Sequence, residues 1–140
     1  MRWFLFITFV GAFSLSCKKD VAPTAPVQEH VDTTTAEVKF DGLFMNGPFG
    51  AVSGTAKIYE DSGAYQVALI DMTISNGPDL HVYLSREEQP IHFIDFGKLK
   101  STSGNQVYPV VNTPDFSQYK FVLIHCQKYN HLFGTAQVAP

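Results

Sequence analysis

The sequence predicts an all-β domain, an antiparallel β-sandwich or a barrel-like sheet. Three observations carry this expectation. Aromatic residues are 14% of the 140-residue chain, with twelve Phe and six Tyr, and such side chains suit the half-buried surface of a strand. Short apolar stretches alternate with Gly, Pro, Asn and Asp clusters at short, regular spacing. No stretch of twelve or more residues has a convincing helical period. The length fits one domain. A hydrophobic fraction of 45% against 16% charged residues excludes disorder across the whole chain.

The first sixteen residues read as a signal peptide. Met1 and Arg2 make a short basic start, and Trp3 to Phe13 form an apolar run too short to span a bilayer. Ser14-Leu15-Ser16-Cys17 follows and resembles a bacterial lipobox, in which the cysteine sulfur accepts a diacylglyceryl group before cleavage frees its amine. The usual order places Leu where Ser14 stands. Cys17 is therefore the expected lipidation site, carrying fatty acyl (palmitate-type) chains that together make a stable anchor. Cleavage removes Arg2 and takes the net charge from −3 to −4. Lys18, not Asp, follows the cysteine; by resemblance to known envelope sorting this favours the outer membrane. Residues 17–36 then read as a flexible tether, because Val21 to Ala36 holds two prolines, a Thr run and no apolar periodicity. His30 in that segment reads as solvated.

The globular part is expected over residues 37–140. Glu37 to Met45 alternates through Val38, Phe40 and Leu43, and Asn46-Gly47-Pro48 breaks it. Ala51 to Tyr59 continues through Val52, Ala56 and Ile58 and turns at Glu60-Asp61-Ser62-Gly63. Ala64 to Ile74 carries Tyr65, Val67 and Leu69, and Ser75-Asn76-Gly77-Pro78-Asp79 is the strongest turn signal in the chain. Leu80, Val82 and Leu84 share one strand face, with His81, Tyr83 and Ser85 on the other. A weaker strand lies near His92 to Phe96, a loop at Ser101 to Asn105, and another strand at Val107 to Val111. Tyr119 to Cys126 is nearly all apolar and is the expected central strand. His131 to Val138 closes the chain.

Ten Lys and Arg against thirteen Asp and Glu argue against nucleic-acid binding, which needs a basic face. Two cysteines offer no disulfide framework. There is no nucleophile elbow, phosphate loop, HExxH or haem-attachment motif, so nothing marks the chain as an enzyme. The remaining chemical candidate is Cys126, the only thiol once Cys17 is acylated. Strand alternation puts His125 on the opposite face from it. If Gln127 to Asn130 form a four-residue hairpin loop, Cys126 instead faces His131 across the ladder. A neighbouring His can stabilise a thiolate or share a metal with it. The alternative is that Cys126 is a small buried hydrophobe, since free Cys is among the most buried residue types.

At these residues the chain resembles the electron-transfer DM-thirteen domain family. The matching pieces are Gly42-Leu43-Phe44, Val52-Ser53-Gly54-Thr55-Ala56, Gly77-Pro78-Asp79-Leu80-His81-Val82-Tyr83-Leu84, and Val122-Leu123-Ile124-His125-Cys126 through Phe133-Gly134-Thr135-Ala136. The resemblance implies an all-β domain whose characteristic cysteine, here Cys126, takes part in redox chemistry with an envelope redox protein as partner. Gly50 stands where relatives often carry a His. Two functions follow as expectations: an envelope electron-transfer accessory domain centred on Cys126 and His131, or a non-redox adhesion or ligand-binding sandwich in which Cys126 is structural. The sequence predicts no particular cofactor for either. A copper site built from Cys126, His131 and His81 is a narrower version of the first, but Thr135 stands where the axial Met of such sites is expected.

Overall fold

The computed structural model describes residues 21–140; the segment expected as a signal peptide and the expected lipidation site Cys17 lie outside the described residues. Nine strands form one sheet, curled into a half-barrel, and the described residues contain no helix. They are β1 (Val27–Gln28), β2 (Glu37–Asn46), β3 (Val52–Asp61), β4 (Ala64–Ile74), β5 (Leu80–Ser85), β6 (Phe93–Lys98), β7 (Ser103–Val110), β8 (Phe121–Cys126) and β9 (His131–Gln137). Their order is β1-β7-β4-β3-β2-β9-β8-β5-β6. All neighbours are antiparallel except β1 and β7. The all-β expectation is met in its barrel-like form.

The seam between the two halves is β2. Its first part pairs with β3, from Glu37↔Glu60 to Leu43↔Thr55, and its last residues pair with β9, from Phe44↔Ala136 to Asn46↔Gly134. One strand thus belongs to both walls. Between the walls lies the main core, with Ile58, Val67 and Leu69 from one side and Val82, Leu84, Val122 and Ile124 from the other. Two smaller clusters lie apart from it, one around Tyr59 and Ala68, the other around Tyr83, Leu123 and Leu132.

Several expectations need correction. Leu43 is exposed while Phe44 is buried, because period two from the half-buried Phe40 puts Phe44 on the core face and Leu43 on the other; the register shift between Val38 and Phe40 accompanies the exposure of Val38. Strand β8 is interior, paired on both sides, but β2 holds the middle position. Ser103 to Asn105 are strand, not loop, since β4 and β1 both pair with them. The largest change concerns residues 21–36, expected as a free tether. Val21 bridges Pro78, the Thr102 N–H donates to Pro23 O, and Ser101 Oγ donates to Ala25 O at 2.7 Å. Glu29 Oε2 accepts from Lys100 Nζ at 2.7 Å and from Val107 N at 2.8 Å. These contacts hold the Glu29 carboxyl below the usual carboxylate range, the lysine hydrogen bond first and the backbone N–H next. His30 is exposed, as expected of it. The segment docks because prolines leave its carbonyls as acceptors for a polar loop that is itself buried: Ser101 and Gln106 are fully covered.

Candidate functional site

The two specific motifs meet at one end of the half-barrel. Turn 75–79 delivers the chain into β5, and the hairpin from Cys126 to His131 joins β8 to β9. Leu80 pairs with Cys126, and Cys126 with His131. The hairpin loop is the four residues from Gln127 to Asn130, with Asn130 at φ 53° supplying its left-handed position. Cys126 points inward and belongs to the main core at 1% exposure. Its S–H donates to Pro78 O at 2.7 Å, and the Gln127 N–H donates to Asp79 O at 3.0 Å.

His131 faces Cys126 in register but engages another group. Its ring stacks on Phe49, with centroids 3.7 Å apart and planes within 4°. Phe133 fills the space beside the thiol turn between two glycines. A Cβ on Gly77 would lie 2.6 Å from Phe133 Cζ, and one on Gly50 2.5 Å from Phe133 Cδ1, closer than real contacts allow. The absence of a side chain at position 50 is therefore matched to the Phe133 ring.

The other face of β5 carries a polar cluster. His81 Nδ1 lies 3.1 Å from both Asp95 carboxylate oxygens, and Nε2 lies 3.3 Å from Asp79 Oδ1. Asp79 reaches that position from φ 58° and also pairs with Lys98. Gln127 Nε2 donates to Tyr83 Oη at 3.1 Å and to Asp95 Oδ2 at 3.2 Å. Burial pushes the Tyr83 phenol up; the Gln127 hydrogen bond opposes this, and the Asp95 and Asp79 charges add to it. His125 lies 5.4 Å from the Tyr83 ring, is 4% exposed, and its Nδ1 has no partner. Burial lowers its pKa, a hydrogen bond with Asn130 opposes the shift, and His131 and His81 lower it further.

Residues 44–138, more than half of the chain, match the family Electron transfer DM13. The chain belongs to that family. No curated protein and no solved structure matches it. Two of the motifs quoted from the sequence, the segments over residues 77–84 and 122–136, meet at the thiol end of this DM13 domain.

The copper arrangement is not formed. Cys126 points into the core, His131 onto Phe49, and both ring nitrogens of His81 face carboxylates on the opposite side of the sheet. Among the described residues no group of three or more His, Cys, Asp and Glu is disposed to hold a metal ion. Sequence reading paired His81 with Tyr83 on one face but missed Asp79 and Asp95 as its partners. The Asp79-x-His81 spacing was visible as a same-face pair. Asp95 arrives from β6, and no local signal announces that.

Proposed function

We propose that this chain is a cell-envelope lipoprotein, anchored through acylated Cys17 in the outer membrane, whose DM13 domain serves electron transfer with Cys126 as its redox group. It acts as an accessory that exchanges electrons with an envelope redox protein and does not turn over a substrate of its own. One observation carries the choice of residue: the two most specific motifs of the sequence meet at the Cys126 thiol and Pro78 O. Cys126 is the free cysteine of the described residues, so no intramolecular disulfide forms among them. The chemistry open to it is exchange with a partner disulfide, in which the deprotonated Cys126 sulfur forms a mixed disulfide and the partner's other sulfur leaves as a thiolate, or two-electron oxidation by a peroxide to the sulfenic acid, with the peroxide's second oxygen leaving as water or alcohol. Either requires local opening at this end of the domain, because the sulfur is buried in the core. His131, in register with Cys126 and stacked on Phe49, is the positioning residue of this end.

The test is to poise envelopes at defined thiol–disulfide ratios, trap Cys126 chemically and read its state by mass spectrometry. The expected result is a fraction of oxidised or mixed-disulfide Cys126 that follows the poise. A thiol that stays reduced throughout, with full function in Cys126→Ala, would end this reading. It would leave the second one, a non-redox ligand-binding or adhesion domain in which Cys126 is structural, which the near-complete burial of the sulfur favours.

A further inference from the structure

We propose that the end of the domain carrying Phe49, Lys128 and Tyr129 is a membrane-contact surface that rests on anionic headgroups. The inference rests on the lipoprotein reading of Cys17 and adds which face of the domain the bilayer meets.

The chain is fixed to the domain from residue 21 onward. Val21 bridges Pro78, Ala22 is buried, and Pro23 O accepts from Thr102. Between positions 17 and 21 there are four residue steps, which span at most about 14 Å whatever their conformation. A ten-residue strand such as β3 is about 33 Å long. An acyl chain on Cys17 therefore holds the Pro78 end of the domain near the headgroups and keeps the Ser62-Gly63 end away from them.

The end so placed is apolar where it should be wet. Phe49 is 54% and Tyr129 56% exposed. They flank His131, at 3.7 and 6.0 Å between ring centroids. Lys128 Nζ stands 5.6 Å from the Tyr129 ring, and Met45, near the end of β2, is 69% exposed. The 47–50 loop and the hairpin are held together by Phe49 N donating to Leu132 O at 3.2 Å, so the patch is one surface. An amphipathic Tyr ring beside an apolar Phe and a cation is a combination that the headgroup layer accepts. The opposite end presents Asp61, Ser62, Asn112 and Asp115 around the exposed hydrophobic side chain of Val111. Charge agrees with this orientation: Lys18 and Lys19 follow Cys17 directly, while the chain from Cys17 onward carries −4. An anionic bilayer thus attracts the anchored end and repels the rest.

The test uses the full chain purified from membranes and placed in vesicles of phosphatidylethanolamine and phosphatidylglycerol. The sole tryptophan, Trp3, lies before Cys17, so the processed chain has none and a single introduced one reports alone. Phe49→Trp and Tyr129→Trp report the proposed surface, and Val111→Trp, 67% exposed beyond the end of β7, reports the far end. The expected result is a blue-shifted emission for the first two, quenched about two-fold or more by brominated acyl chains, and neither effect for the third. Quenching no greater at positions 49 and 129 than at 111, in protein whose mass shows an acylated Cys17, overturns the contact surface and leaves the anchor standing. A crosslink from either position to a protein in place of lipid quenching overturns it in favour of a protein partner. An unmodified N-terminus, or cleavage elsewhere, removes the anchor and the inference with it.

Discussion

Cys126 and Pro78 are joined by a thiol-to-carbonyl hydrogen bond of 2.7 Å across 48 residues of sequence. The contact is made by the protonated sulfur, since a thiolate has no hydrogen to donate. Cys126→Ala leaves the Pro78 carbonyl without this donor and removes packing from the core, which should cost about 1–3 kcal/mol in urea unfolding. In the folded wild type, alkylation should be slow and should accelerate with urea below the unfolding midpoint, as local opening exposes the sulfur. Fast alkylation of the native protein would contradict the burial.

The pinch on Phe133 gives a second expectation. Gly77→Ala and Gly50→His each force the ring to move, so each should destabilise by about 1–3 kcal/mol. The double change Gly50→His with Phe133→Leu should recover part of that loss, because the smaller side chain vacates the contested space. Equal stabilities of wild type and Gly50→His would show that the ring has room to spare.

His125 sets a pH dependence whose sign is fixed by burial. Burial holds its folded pKa below the ordinary histidine value of about 6.5, so between the two values the unfolded chain binds more protons. Stability therefore rises with pH through that window and falls on acidification below about 6.5, levelling once the folded form also protonates. His125→Phe should flatten the slope in this range. Glu29, Glu87 and Asp115 have lowered pKa values, and their contribution is lost separately, at pH below their ordinary carboxylate range. Thermal melts across pH 5–8 on the two proteins read the difference. An unchanged slope in the variant would assign the effect elsewhere.

The docked N-terminal segment gives a fourth expectation. A chain beginning at residue 37 lacks the acceptors for Ser101, Thr102 and Val107. It should be less stable than one beginning at residue 21 by about 2–4 kcal/mol, from roughly 1 kcal/mol for each lost partner. Glu29→Gln should show a smaller loss, greatest near neutral pH, because the carboxylate form is the one that Lys100 stabilises. Equal stability of the two chains would mean that the segment only rests on the surface.

Much of the fold was legible because strand alternation and turn chemistry are local. Ala64 to Ile74 and Leu80 to Ser85 begin and end where their flanking turn residues put them. The Cys126↔His131 pairing follows from counting a four-residue hairpin. What was not legible depends on distant residues. The docking of Val21 to Glu29 requires the Ser101 loop to present unpaired donors, and nothing in a Pro- and Thr-rich stretch announces them. The stack of His131 on Phe49 is set by the 47–50 loop folding over β9, a contact that register alone does not announce. Asp95 reaches His81 only because β6 pairs with β5.

Strand β2 closes a wall early in the chain and can finish only against β9, which is almost the last segment. The β2-β3-β4 meander has local partners and can zip as it emerges. The tie from Phe44 to Ala136 spans most of the domain, and such distant closures slow folding to the millisecond-to-second range. During folding, then, the domain stays open along this seam until β9 is in place. A truncation that removes β9 leaves two half-walls with bare edges, a template for aggregation.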